Sequence, residues 1–264
     1  MDLKIKGKTA LVTGSTAGIG LAVASLLAQE GVRVVVNGRT KARVDGAIEQ
    51  IRKQTPGANL SGVAADVGQA SGTELLLKSV PEVDILVNNA GIFEPKPFGE
   101  ILDADWLRFF EVNVMSGVRL SRSYLPGMIK KNWGRIVFIS SESALNTPAE
   151  MIHYGLTKTA QLALSRGLAE TTAGTGVTVN AVLPGPTRSE GVSEFVSNLA
   201  KAQKTDEDTI EENFFKTMRP GSLLKRFATT DEVAAMVVYV CSSLASATNG
   251  AALRVDGGIV RSIA

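Results

Sequence analysis

The chain predicts an α/β fold: a parallel sheet covered by helices on both faces. Four runs rich in Val, Ile and Leu, at the start of 8–20 and at 32–38, 59–67 and 84–91, are separated by segments of helical length. A glycine loop joins the first run to the helix that follows it, in the order a βαβ unit needs. Length and composition fit as well: 264 residues, 44% hydrophobic and 20% charged, suit one soluble domain with a sizeable core.

The first strand, loop and helix occupy 8–31, and a terminal glycine, Gly31, closes the helix. Gly14, Gly18 and Gly20 follow the spacing G-x-x-x-G-x-G, with Ser15, Thr16 and Ile19 between them. Such a loop lets main chain approach a pyrophosphate, and the helix start supplies free N–H groups and a favourable dipole. At the end of the second strand an acidic residue would select a ribose 2′-hydroxyl. Here Asn37, Gly38, Arg39 and Thr40 stand there, with Lys41 and Arg43 next. A guanidinium makes paired bonds to a phosphate, which favours NADP(H), while Asn37 would tolerate NAD(H) as well.

An amphipathic helix is expected at 41–54 and a third strand at 59–67. Asp66, beside Val67, could meet the adenine edge or cap the next helix. A short connection at 68–83 leads to the fourth strand, which runs into Asn89, Ala90 and Gly91.

The chemistry is expected at 140–160. Tyr154 and Lys158, four residues apart, share one face of a helix. A lysine ammonium beside a phenol favours the phenolate and would let Tyr154 act as acid or base near neutral pH. Ser141, thirteen residues earlier, could orient a carbonyl, with Ser140 and Ser143 as rival hydroxyls.

Together the loop at 14–20, the NNAG run at 88–91, Asn113, Ser141, the Tyr154/Lys158 pair, PGPT at 184–187 and VDGG at 255–258 resemble the short-chain dehydrogenase/reductase family over essentially the whole chain. The resemblance implies a doubly wound Rossmann sheet of about seven strands and a nicotinamide cofactor. It makes Tyr154 the acid/base and Ser141 the holder of the substrate oxygen. Lys158 would lower the tyrosine pKa and bond the nicotinamide ribose; Asn113, in a helix at 103–125, would order a water in the proton relay. Pro184, Gly185 and Thr187 would close the nicotinamide end, with Thr187 reaching the carboxamide. Ile139 and Val182 read as core and His153 as a bystander.

Residues 186–227 are longer and more polar than a tight connection. The family resemblance makes them a helical substrate lid within a single domain of 1–264. Phe214 and Phe215 would be lid core or pocket wall. Phe93, Leu145, Met151 and Ile152 suggest a partly apolar substrate. In the last third, Asp231 would cap a helix that precedes the final strand. In this family, apolar faces on that helix and on 156–170 also form subunit contacts, so a homo-oligomer, tetramer or dimer, is expected.

Other classes fit less well. A formal net charge of +2 gives no reason to expect nucleic acid or an anionic membrane as partner. The interleaved charges of MDLKIKGKTALV do not read as a signal peptide, and the expected setting is cytoplasmic. One cysteine, Cys241, and one histidine, His153, argue against a disulfide, a metal site and a Ser-His-Asp triad. The reading is a hydride-transferring oxidoreductase acting on a small carbonyl or alcohol, of 3-oxoacyl type first. The alternatives are an NAD-dependent sugar, polyol or secondary-alcohol dehydrogenase, or a non-catalytic dinucleotide sensor.

Overall fold

Alternation along the strands divides the core in two. In β1 (Thr9–Val12), Ala10 and Val12 face one helical layer and Leu11 the other. The same period of two sends Val34 and Val36 of β2 (Arg33–Gly38) one way and Val35 the opposite way. Residues buried on both faces are what a parallel sheet between two helix layers demands.

The computed structural model describes residues 1–263; Ala264, the last residue of the expected domain, lies outside them. The remaining elements run α1 (Gly18–Gln29), α2 (Lys41–Gln54), β3 (Leu60–Ala64), α3 (Ala70–Ser79), β4 (Ile85–Asn88), α4 (Asp103–Phe110), α5 (Ser116–Lys130), β5 (Gly134–Ile139), α6 (Ile152–Glu170), β6 (Val177–Pro184), α7 (Glu190–Gln203), α8 (Glu207–Thr217), α9 (Thr230–Val240) and β7 (Ala252–Val255). The seven strands form one parallel sheet in the order β3-β2-β1-β4-β5-β6-β7. The chain order reverses between β1 and β4, so the crevice beyond their carboxyl ends is the expected ligand site. Helices α1, α2 and α9 cover one face; α3, α5 and α6 cover the other.

Two local readings change and a third is narrowed. The expected helix at 103–125 is interrupted by a π-helical turn, Glu111–Met115, and continues to Lys130. Thr229, not Asp231, caps α9: its hydroxyl accepts from Glu232 N while the Glu232 carboxylate accepts from Thr229 N. A reciprocal box satisfies two free helix donors, whereas Asp231 lies inside the first turn. Residues beyond β6 form two helices, α7 and α8, with an apolar core of their own around Val196, Ala200, Ile210, Phe215 and Phe227. Phe214 and Phe215 belong to that core, since Phe214 stacks on Phe227 at 5.1 Å. No helix among the described residues is long and apolar enough to cross a membrane.

Candidate active site

The glycine loop is held from beneath. Ser15 is fully buried and donates through Oγ to the Val12 carbonyl at 2.7 Å, while accepting from Asn37 N at 3.0 Å. Gly14 and Gly18 take φ of +61° and +57°, a region that favours glycine. A Cβ on Gly20 would stand 2.4 Å from Asn89 Nδ2 and 2.6 Å from the Gly14 carbonyl, so loop and β4 are packed to contact there. Asn89 ties the two together, its amide donating to the Thr13 and Gly14 carbonyls at 2.9 and 3.1 Å. Helix α1 starts at Ala17 with no side-chain cap and no acidic residue in its first turn. Its free N–H groups and dipole therefore remain available to an anion.

At the ribose end the structure separates two residues that were read together. Asn37 is buried, accepting from Gly14 N at 3.3 Å and donating to the Val63 and Ala65 carbonyls at 3.1 Å each. Its amide joins three strand ends and does not face outward, which corrects the expectation that it meets the ribose. Arg39 is exposed, with no partner among the described residues. Arg43 is paired with Glu190 at 3.2 Å. Of the two guanidiniums, Arg39 is thus the one without a protein partner among the described residues. Asp66 accepts from Gly68 N at 3.0 Å in a turn before α3, whose cap position is Gln69, and Val67 is buried in the core. These residues fit a nicotinamide dinucleotide.

The catalytic candidates converge at the ends of β4 and β5. Among the serines after β5, Ser140 donates to the Lys158 carbonyl at 2.9 Å and Ser143 to Glu142 Oε1 at 3.3 Å. Both rivals donate inward, whereas Ser141 Oγ accepts from Ser143 N at 3.1 Å and is the hydroxyl that acts on the Tyr154 phenol, lowering its pKa. Lys158 Nζ donates to the Ile139 carbonyl at 2.8 Å and lies 5.6 Å from the Tyr154 ring centroid. Gly91 lies close by: a Cβ there would stand in ordinary contact, 3.5 Å from Nζ. Asn113 lies in the π-helical turn, where Oδ1 accepts from Ile92 N at 2.8 Å and Nδ2 donates to Thr157 Oγ1 at 3.0 Å.

The expected help of Lys158 to Tyr154 is outweighed in this environment. Burial pushes the Tyr154 phenol up to about 12, against the lowering effect of Ser141, and Glu142 raises it further. Burial also pushes the Lys158 amine down to about 7. A lysine with only neutral partners loses charge on desolvation, and with it the field that would favour a phenolate.

Three polar residues join the site that the sequence did not mark. Gln161 touches both Lys158 and Asn113. Glu142, beside Ser141, is buried and paired with Arg219, which also meets Glu150 at 3.0 Å. A glutamine inside the apolar run AQLAL was a signal; Arg219, 69 residues from Glu150, left none. Thr187 is buried and donates to the Gly185 carbonyl at 2.9 Å, and Pro184 ends β6, so both lie at the neighbouring strand end. His153 packs on Phe109 at 4.1 Å, and neither ring nitrogen has a hydrogen-bond partner among the described residues.

The fold and the Tyr-Lys-Ser grouping define a dinucleotide-dependent oxidoreductase. The sequence profile of the short chain dehydrogenase family matches residues 8–200, and the chain belongs to that family. It is 50% identical over the full length of both chains to a Bacillus subtilis protein named uncharacterized oxidoreductase YvaG. It is 34% identical to the 3-oxoacyl-[acyl-carrier-protein] reductase FabG of Aquifex aeolicus, covering 98% of this chain and all of that one. L-Sorbose reductase from Gluconobacter frateurii, solved with NADPH and L-sorbose, superposes over all of both chains with a TM-score of 0.94 at 32% identity.

Proposed function

We propose that this oxidoreductase is an NADP(H)-dependent reductase of a small ketone, with Tyr154 as proton donor. The observation that carries the reading is the grouping beyond β5: Ser140 and Ser143 donate inward, and Ser141 is the one of the three hydroxyls that lowers the pKa of the Tyr154 phenol. A carbonyl oxygen placed between Ser141 and Tyr154 would receive a hydrogen bond from one and the proton from the other. When bound, the nicotinamide supplies or takes up the hydride. Lys158 holds its amine beside the phenol and offers a donor to the ribose. Asn113 fixes the segment at Ile92 and Thr157 that walls the pair. Arg39 takes the 2′-phosphate.

Helices α7 and α8 act as the substrate lid. Exposed Phe93, Leu145 and Met218 favour a partly apolar ketone, and the FabG relative supports a 3-oxoacyl thioester as first candidate. The whole-chain likeness to L-sorbose reductase supports a hydroxylated ketone as second. Exposed Leu156 on α6 and Tyr239 on α9 suit subunit contacts in a homo-oligomer. The deciding experiment measures NADPH and NADH oxidation by the purified protein against 3-oxoacyl thioesters, ketoses and simple ketones. NADPH-dependent reduction of one class supports the reading; tight NADPH binding with no turnover across the panel replaces it with a dinucleotide sensor.

A further inference from the structure

Gln161 lies three residues beyond Lys158 on α6, on the same face. Its side chain is buried and engaged at both ends. Nε2 donates to the Asn113 carbonyl at 2.6 Å, and Oε1 accepts from Lys158 Nζ at 3.2 Å. The orientation of the amide is forced: the carbonyl can only accept, so NH₂ must face Asn113 and the oxygen must face the lysine. Asn113 in turn is anchored through its side chain to Ile92 and Thr157.

We propose that Gln161 is a positioning residue for the proton machinery, holding the Lys158 amine beside Tyr154 and tying it to the Asn113 carbonyl. The inference rests on Tyr154 and Lys158 being the acid/base pair. A carboxamide does not titrate near neutral pH, so Gln161 orients the lysine and passes no proton itself. It is also the neutral acceptor that stabilises a lysine charge disfavoured by burial.

The groups around Lys158 Nζ make this bond matter. Tyr154 faces it from the same helix, the Ile139 carbonyl from β5, and Gly91 from the loop after β4. Glu142 acts on the phenol; burial lowers the lysine, and Gln161 Oε1 is the side-chain acceptor at its amine. Changing the one side-chain acceptor therefore changes the lysine directly.

The test uses two substitutions of nearly the same shape, Gln161→Leu and Gln161→Glu, in the full-length protein. The lysine titration is followed by NMR on isotope-labelled lysine, with Lys158→Met assigning the resonance. Gln161→Glu places an anion within a few ångströms and should raise the Lys158 pKa by about one unit or more; Gln161→Leu should lower it. The pH at which alcohol oxidation rises should follow in opposite directions, earlier for Gln161→Glu and later for Gln161→Leu. An unmoved lysine titration in both variants, or shifts of the same sign, overturns the proposal. The titration needs no substrate, so its outcome is separate from the oxidoreductase reading, which stands or falls on wild-type turnover.

Discussion

Arg219, just beyond α8, reaches back to Glu142, the residue after Ser141, with Nε 3.4 Å from Oε1. Its Nη1 also meets Glu150, in the turn before α6, at 3.0 Å. One guanidinium thus ties the two-helix excursion to both sides of the catalytic segment. Burial pushes the Glu142 carboxyl above the usual carboxylate range, while Arg219 and Ser143 hold it down.

Arg219→Met should therefore destabilise the protein, by about 3 kcal/mol near pH 7, because it strands a buried carboxylate. A carboxyl whose folded pKa is raised favours the fold when protonated, and that advantage is lost as pH rises through its folded value. Without Arg219 that value rises further, so the loss in melting temperature should be smaller at pH 5 than at pH 8. Equal losses at both pH values would show that Glu142 is not the group left unpaired.

Tyr154→Phe should retain NADPH binding and lose turnover by about a hundredfold to ten-thousandfold, the range of one general acid. Calorimetry and steady-state rates separate the two. Substantial residual reduction removes Tyr154 from the acid/base role.

Arg39→Ala should weaken NADPH by about tenfold to a hundredfold, the worth of hydrogen bonds to a charged group, and leave NADH nearly unchanged. Titrating both nucleotides against the variant measures this. Equal weakening of the two means that Arg39 does not read the 2′-phosphate.

Lys158 yields a pH prediction of opposite slope to Glu142. Its amine is pushed down to about 7, while an unfolded lysine titrates near 10.4, so between those values the folded state binds fewer protons. Wild-type stability should rise across that window relative to Lys158→Met, and fall as pH drops through about 7. Melting curves of both proteins at pH 7 and pH 10, without nucleotide, make the comparison. A constant difference means that the lysine keeps its charge in the fold.

What the sequence determined by itself is whatever depends on short-range spacing. Runs of Val, Ile and Leu and the glycine loop place β1 to β4 and the helices between them; α2 falls at 41–54 as expected. The four-residue spacing puts Tyr154 and Lys158 on one helix face, since helix geometry alone decides that. Tertiary structure decided what those groups experience. Burial, which no local pattern reports, sets the Tyr154 and Lys158 pKa values against the simple charge-pair expectation. It also turned Asn37 inward and left Arg39 outward, though the two are separated by a single residue. Arg219 with Glu142, and Gln161 with the Asn113 carbonyl, are pairings of distant residues. Only the packing of α6 against the π-helical turn, and of the segment after α8 against the catalytic loop, brings them within hydrogen-bond range.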